Sequence, residues 1–235
     1  MQKILSAALL GLLSAITSGN AVAESAALLV YKVWEEGVDP YLTRILITED
    51  HVRLDEGADQ GDFTLFDRRQ EIIYNVAMQD QSVLVIAPQL VEVPANPGLL
   101  LSEKDQVDEQ APKIAGVAPH NIELLANNEV CGQLVVVPGL MGDALEGLHE
   151  FKQVLARVQA ATLAGRPEEL QTPCDLASNI HAATRTVDFG LPIQERSEGR
   201  AQVLVDFAEE HEVDAGLFVI PEGFGRHSMP SLPAL

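Results

Sequence analysis

The residue types that most often carry chemistry are present in this chain, but their spacing matches no catalytic or metal-binding pattern. His149-Glu150 matches the start of a zinc-protease motif, yet position 153, where a second histidine must stand, is Gln. Glu209-Glu210-His211-Glu212 is a dense run of metal-ligating types. Consecutive residues of a strand do not all face one ion, so a solvated run of charges is the better interpretation.

Acidic residues near glycines give a second partial motif. Asp55, Asp59 and Asp62 lie around Gly57 and Gly61 in the manner of a calcium loop. The ligand order of an EF-hand is not met, and a turn rich in Asp explains the pattern equally well. The chain also lacks a GxSxG elbow, a P-loop and a GxGxxG motif. We therefore expect no catalytic, metal-binding or cofactor-binding residue; the alternative is a hydrolase with an unconventional site.

The chain has two cysteines, Cys131 and Cys174. If the protein is exported, these residues are expected to form a structural disulfide. Two buried free thiols or a redox pair are the alternatives, although the spacing is far from the CxxC of redox motifs.

The N-terminal residues have the three parts of a secretory signal peptide. Lys3 supplies the positive charge, residues 4–16 form an apolar stretch, and Ala21-Val22-Ala23 is a small-x-small site that places cleavage before Glu24. An uncleaved membrane anchor is the alternative, but a spanning helix needs about 20 apolar residues. We expect residues 1–23 to be removed and the rest to be a soluble periplasmic protein without a transmembrane span.

The excess of acidic residues excludes some classes of binding partner. The sequence has 15 Lys and Arg against 35 Asp and Glu, a net charge of −20. An acidic protein is repelled by nucleic acids and by anionic membrane surfaces, so neither is expected as a partner. Hydrophobic residues make up 47% of the chain, which is enough to form a core. The length favours one domain, assigned to residues 24–224, followed by a flexible tail over 225–235.

Short β-type segments separated by turn residues dominate the pattern and predict a meander of antiparallel strands. The predicted strands cover residues 28–33, 41–48, 51–55, 63–66, 72–76, 82–86, 121–125, 131–137, 184–189, 201–207 and 217–220. Residues 94–119 contain four prolines and are predicted to be a long surface loop with little regular structure.

One convincing helix is predicted over residues 143–163, with a shorter piece at 167–170. Asp143 and Glu146 have the spacing of a capping box. Three- and four-residue steps place Leu145, Leu148, Phe151, Leu155 and Val158 on one apolar stripe.

Three segments give the chain a resemblance to a known family: Phe66-Asp67-Arg68-Arg69 with Ile73-Tyr74-Asn75-Val76, Gly190-Leu191-Pro192-Ile193, and residues 213–224. Together with the signal peptide, meander and central helix, they resemble the periplasmic lipoprotein-carrier superfamily (LolA/LolB-like) or its uncharacterised exported relatives. The resemblance covers most of residues 25–224. It implies an α+β, mainly β fold: a curved antiparallel sheet, an incomplete barrel, with the amphipathic helix on its concave face.

Two functions follow as expectations. The first is a non-catalytic periplasmic binding protein for a hydrophobic or amphiphilic ligand, a lipid or an acylated protein. Its candidate ligand-facing residues are the helix stripe Leu145, Leu148, Phe151 and Leu155. The alternative, which is favoured for a lone amphipathic helix, is that this stripe is ordinary core. The alternative is a cell-envelope interaction module that contacts a partner protein through an exposed strand edge or the 94–119 loop.

Overall fold

A computed structural model gives the fold, and it describes residues 23–87, 93, 95–163, 167 and 171–229. Nearly all of the expected signal peptide, most of the short helix expected at 167–170 and residues 230–235 of the expected tail lie outside these ranges. Within the described residues, no helix is long and apolar enough to cross a bilayer.

Twelve strands form one open, curved sheet. In chain order they are β1 (Ala23–Glu35), β2 (Tyr41–Ile47), β3 (His51–Asp55), β4 (Phe63–Asp67), β5 (Ile72–Ala77), β6 (Ser82–Ile86), β7 (Leu101–Val107), β8 (His120–Ala126), β9 (Glu129–Val137), β10 (Leu191–Ser197), β11 (Arg200–Asp214) and β12 (Gly225–Ser228). Their order across the sheet is β12-β6-β5-β4-β3-β2-β1-β11-β10-β9-β8-β7.

The sheet consists of two antiparallel halves joined by its two longest strands. Strands β1 to β6 form the predicted meander, and β7 to β11 form the other half. The 13-residue β1 pairs with the 15-residue β11 along most of its length. Register shifts in this pair, near Ala26 and Val30, mark bulges of the kind that bend a strand. Only β12, which runs parallel to β6, departs from the antiparallel pattern among the described strands.

Helix α1 (Gly142–Thr162) packs on the concave face, as the sequence predicts. Leu148, Phe151 and Val154 are buried against apolar strand residues that include Val52 and Phe66. The Phe151 and Phe66 rings lie 5.5 Å apart between centroids. Gly147 gives the helix its close approach, since a Cβ there would lie 2.8 Å from Ile47 Cγ2.

The convex face of the β1–β6 half has its own apolar core, covered by the segment 215–224 that follows β11. We call this segment the strap. It begins with a 3₁₀ turn, Ala215–Phe218, and packs Leu217, Phe218, Ile220 and Phe224 onto the sheet. The strap leads to β12, so the chain crosses from the centre of the sheet to its outer edge.

A buried ion cluster lies under the strap. Asp55, with its side chain 1% exposed, accepts hydrogen bonds from Arg44 at 2.8 Å and from Arg53 Nε at 2.7 Å. Arg53 also donates to the Leu217 carbonyl of the strap and lies over the Phe63 ring. The cluster therefore joins β2, β3 and the strap.

The expected disulfide is confirmed: Cys131 of β9 is bonded to Cys174. Cys174 lies in the short helix α2 (Pro173–Leu176), which continues into a π-helical turn, Ala177–His181. The disulfide thus attaches this helical segment to the sheet.

Five local predictions are wrong. Within 94–119, the seven residues Leu101–Val107 form the edge strand β7 rather than loop. Residues 184–189 are not a strand but contain helix α3 (Arg185–Asp188), and 217–220 begin in the 3₁₀ turn of the strap. Residues 225–228 of the expected tail form β12, because β6 offers an edge to pair with. The predicted capping box is absent: the N-cap is Met141, at a positive φ of 59°, without a side-chain cap.

Candidate functional site

An open groove of about 610 Å³ lies on the concave face, at the ends of strands β2 to β6. Thr43, Thr64, Asn75 and Ser82 point to the same face as the residues under α1, because each pairs with or lies two positions from one of them. None of the residues that line the groove belongs to α1. The groove is therefore the part of the concave face that the helix leaves open.

The groove surface is mainly apolar with a polar strip. Leu54 and Leu84 form its apolar part and pack against the core beneath α1. The Thr64 hydroxyl donates to Asn75 Oδ1 at 2.9 Å, so the two polar side chains are held together across β4 and β5. His227 of β12 lines the groove at the outer edge of the sheet. This arrangement offers apolar contact and hydrogen-bonding groups side by side.

The entrance to the groove is acidic. Glu56 and Asp62 are exposed and line it, in the turns after β3 and before β4. Negative side chains at an entrance favour neutral or cationic groups over anions.

The helix stripe predicted to face a ligand lies elsewhere. Leu148 and Phe151 are buried in the core between α1 and the sheet, and Leu145 and Leu155 are half-buried against the same core. The four residues thus form part of the helix–sheet interface.

The segment Phe66-Asp67-Arg68-Arg69 also holds the helix. Arg68 forms a two-point ion pair with Glu150 of α1, at 2.6 and 3.1 Å, and donates to the Thr48 carbonyl at 2.8 Å. The neighbouring carboxylate raises the pKa of the Arg68 guanidinium, so the pair stays charged. These contacts fix α1 over β3 and β4 and so set one boundary of the open part of the face.

The acidic motifs noted in the sequence do not form a metal site. The Asp55 and Asp59 carboxylates are bound by Arg44, and Asp62 accepts the Met78 amide at 2.7 Å. Among the described residues, no three His, Cys, Asp or Glu side chains are grouped as metal ligands.

The groove residues were not predicted from the sequence, although one signal was available. Thr43, Thr64 and Asn75 replace apolar residues on an inward face whose next positions are Ile45, Phe66 and Ile73. On each of these three neighbouring strands, a polar residue lies two positions from an apolar one on the same face. This change from apolar to polar marks where the helix stops covering the sheet.

No protein-family model matches the chain, and no curated protein matches it in sequence. Two structures of PNGF-II, in different crystal forms, are similar to it with TM-scores of 0.39 and 0.41, each at 9% sequence identity. The matches cover 88% of this chain, whereas the chain spans about a third of the PNGF-II chains, 31% and 32%. The chain is thus only distantly similar in shape to part of a larger protein.

Proposed function

We propose that this protein is a non-catalytic binding protein for a hydrophobic or amphiphilic ligand, such as a lipid or an acylated protein. The observation that supports this function is the open groove on the concave face. Its volume falls within the range of about 300–1,000 Å³ that is usual for small-molecule sites.

The surface of the groove suits an amphiphile. An apolar chain would lie on Leu54 and Leu84, and its polar end would reach the Thr64–Asn75 pair or the acidic entrance at Glu56. Each methylene removed from water contributes about 0.8 kcal/mol, so a short acyl chain is enough for useful affinity. The acidic entrance favours a neutral or cationic polar end.

The proposed compartment is the periplasm. The disulfide between Cys131 and Cys174 is of the kind that persists in oxidising compartments. The resemblance to periplasmic lipoprotein carriers agrees with a ligand that contains acyl chains, and we extend the proposal to that class on this basis.

The first prediction tests the groove with a neutral fluorescent probe, N-phenyl-1-naphthylamine. We expect Leu84→Arg to weaken probe binding at least about tenfold, because it places a charge on the apolar surface. Ser82→Trp, which fills the groove without removing a core side chain, should act in the same direction. Fluorescence titration measures the dissociation constant, and native mass spectrometry of protein purified from the periplasm identifies a ligand that organic extraction removes.

The matched control is Leu42→Arg, since Leu42 lies on the opposite face of the same sheet and is 45% exposed. It should leave probe binding unchanged. Equal loss in the groove and control variants, or unchanged binding in both groove variants, would contradict the proposal.

A second candidate function, an envelope interaction module, is favoured by the edge strand β7. All seven of its residues are exposed, and among the described strands it pairs only with β8. An exposed edge can add a strand from a partner. We expect a photo-crosslinker at Leu101 to give one discrete product in cells, and Asp105→Pro, which breaks the edge, to abolish it. A crosslinker at Leu42 is the control; the same products from both positions would contradict this function.

A further inference from the structure

A second cavity, of about 190 Å³, lies on the other half of the concave face. Its walls come from α1, the π-helical turn, α3 and strands β8 to β10, and it is far more enclosed than the groove. The disulfide forms part of this wall through Cys131. The volume is slightly larger than the 150 Å³ cavity known to hold benzene, so it admits a molecule of about eight non-hydrogen atoms or fewer.

Lys152 of α1 lines this cavity without a counter-ion in contact. Among the described residues it forms no hydrogen bond and no ion pair. Burial lowers the pKa of its ammonium group, while Glu195 and Asp188 act to raise it and Arg200 to lower it. The Lys152 side chain is half-buried, and desolvation of a charged group without a partner is costly. The ammonium is therefore free to contact an anionic group of a ligand.

The opposite wall supplies complementary groups. Glu195 of β10 lines the cavity, and one of its carboxylate oxygens accepts from Gln202 at 2.7 Å. The Thr186 hydroxyl of α3 is buried and has no hydrogen-bond partner among the described residues. Such buried polar atoms are normally satisfied, if not by protein then by water or a ligand. Arg185 also lines the cavity, but its guanidinium already binds Leu125, Ser102 and Glu103.

We propose that this cavity binds a small zwitterion, an α-amino acid or a molecule of that size and charge pattern. Its carboxylate would contact the Lys152 ammonium, its ammonium group the Glu195 carboxylate, and one oxygen the Thr186 hydroxyl. A dianion would be repelled by Glu195, and a simple amine by Lys152. The cavity and the groove are lined by different residues, so this site does not depend on the proposed function.

The experiment is a screen of the twenty amino acids against the full protein by thermal unfolding, followed by calorimetry on those that act. At about ten times its dissociation constant, a ligand of this class stabilises the fold by about 1.4 kcal/mol and should raise the unfolding midpoint by about 3–6 °C. Lys152→Met should abolish the shift. Lys152→Met is expected to fold, because an apolar side chain of similar length replaces a half-buried, unpaired charge.

Glu195→Gln distinguishes a zwitterion site from a general anion site. It should weaken amino-acid binding at least tenfold while leaving, or improving, the binding of a monocarboxylate of the same length, propionate for alanine. Lys32→Met, which removes an exposed lysine, is the control that should leave the shift unchanged.

Three results would overturn the proposal: no amino acid shifts the midpoint, the shift survives Lys152→Met, or Glu195→Gln leaves amino-acid affinity intact. The last would make the site one for simple anions. The first would mean that the Lys152 ammonium contacts water alone.

Discussion

At the scale of single residues, the buried Asp55 stabilises the convex core through charge. Burial by itself would raise the pKa of this carboxyl, but hydrogen bonds from Arg44, Arg53 and the Gly57 amide outweigh it and lower the pKa. Arg53, 2% exposed, depends on this carboxylate as its counter-charge. The same guanidinium binds the strap, so the ionisation of Asp55 affects how firmly the strap is held.

We therefore expect Asp55→Asn to lower the free energy of unfolding by about 3–5 kcal/mol at neutral pH, because it leaves Arg53 buried without a counter-charge. Since the folded-state pKa of Asp55 is lowered, its contribution is complete above the unfolded-state pKa and is lost as the pH falls through the folded-state value. The difference between wild type and variant should accordingly shrink in acid. Urea unfolding followed by circular dichroism at several pH values measures it.

Asp59→Asn is the control for this effect. Asp59 also binds Arg44, at 2.8 Å, but its side chain is 61% exposed. An exposed pair of this kind contributes about 1 kcal/mol or less. The account of Asp55 fails if the two variants are equally stable, or if the Asp55→Asn loss is the same at every pH.

At the scale of elements, the contact between α1 and the sheet depends on Gly147. Replacing a glycine inside a helix with alanine ordinarily stabilises the helix by about 0.5–1 kcal/mol. Here the new Cβ would lie 2.8 Å from Ile47 Cγ2 and 3.3 Å from Val52 Cγ2. Both neighbours are β-branched and buried, so they have little freedom to move.

We expect Gly147→Ala to destabilise the protein by about 1–3 kcal/mol, because overpacking outweighs the gain in helix propensity. Gly142→Ala, at the first position of the same helix, meets no atom within 4 Å and should be neutral or slightly stabilising. Thermal unfolding of both variants compares them. A stabilised Gly147→Ala would show that the contact with Ile47 does not limit the approach of the helix to the sheet.

The elements predicted correctly from the sequence are those whose hydrophobic periodicity and flanking turn residues indicate the same secondary structure. The strands of the first meander and α1 belong to this class, since each has an apolar face to bury. β7 was missed because Leu101–Val107 is exposed throughout and carries no alternation. Residues 184–189 include the β-branched Thr184, Thr186 and Val187, which favour a strand, but Arg185–Asp188 forms a helical turn instead. Gly225–Ser228 became a strand only because β6 provides an edge.

At the scale of the whole molecule, the predicted curved antiparallel sheet with a helix on its concave face is the observed fold. Apart from the polar positions Thr43, Thr64 and Asn75, the sequence carries no signal for the groove or the cavity, because each combines side chains from several elements that are distant in the chain. Leu54, Leu84 and His227 meet in one, and Lys152, Thr186 and Glu195 in the other. These residues become neighbours only in the folded chain, so a local sequence pattern does not reveal which of them lie together.

The pairing of β1 with β11 has a consequence for how the molecule is assembled. Even its nearest paired positions, Glu35 and Arg200, are 165 residues apart along the chain. The meander from β1 to β6 needs only local contacts and can form early, but the inner edge of β1 then stays open until the last strands are available. An open edge of this length is a site of mispairing between chains. The β1–β11 pair thus forms after most of the strands on either side of it have paired. Until this pair forms, the newly made chain is most prone to aggregate.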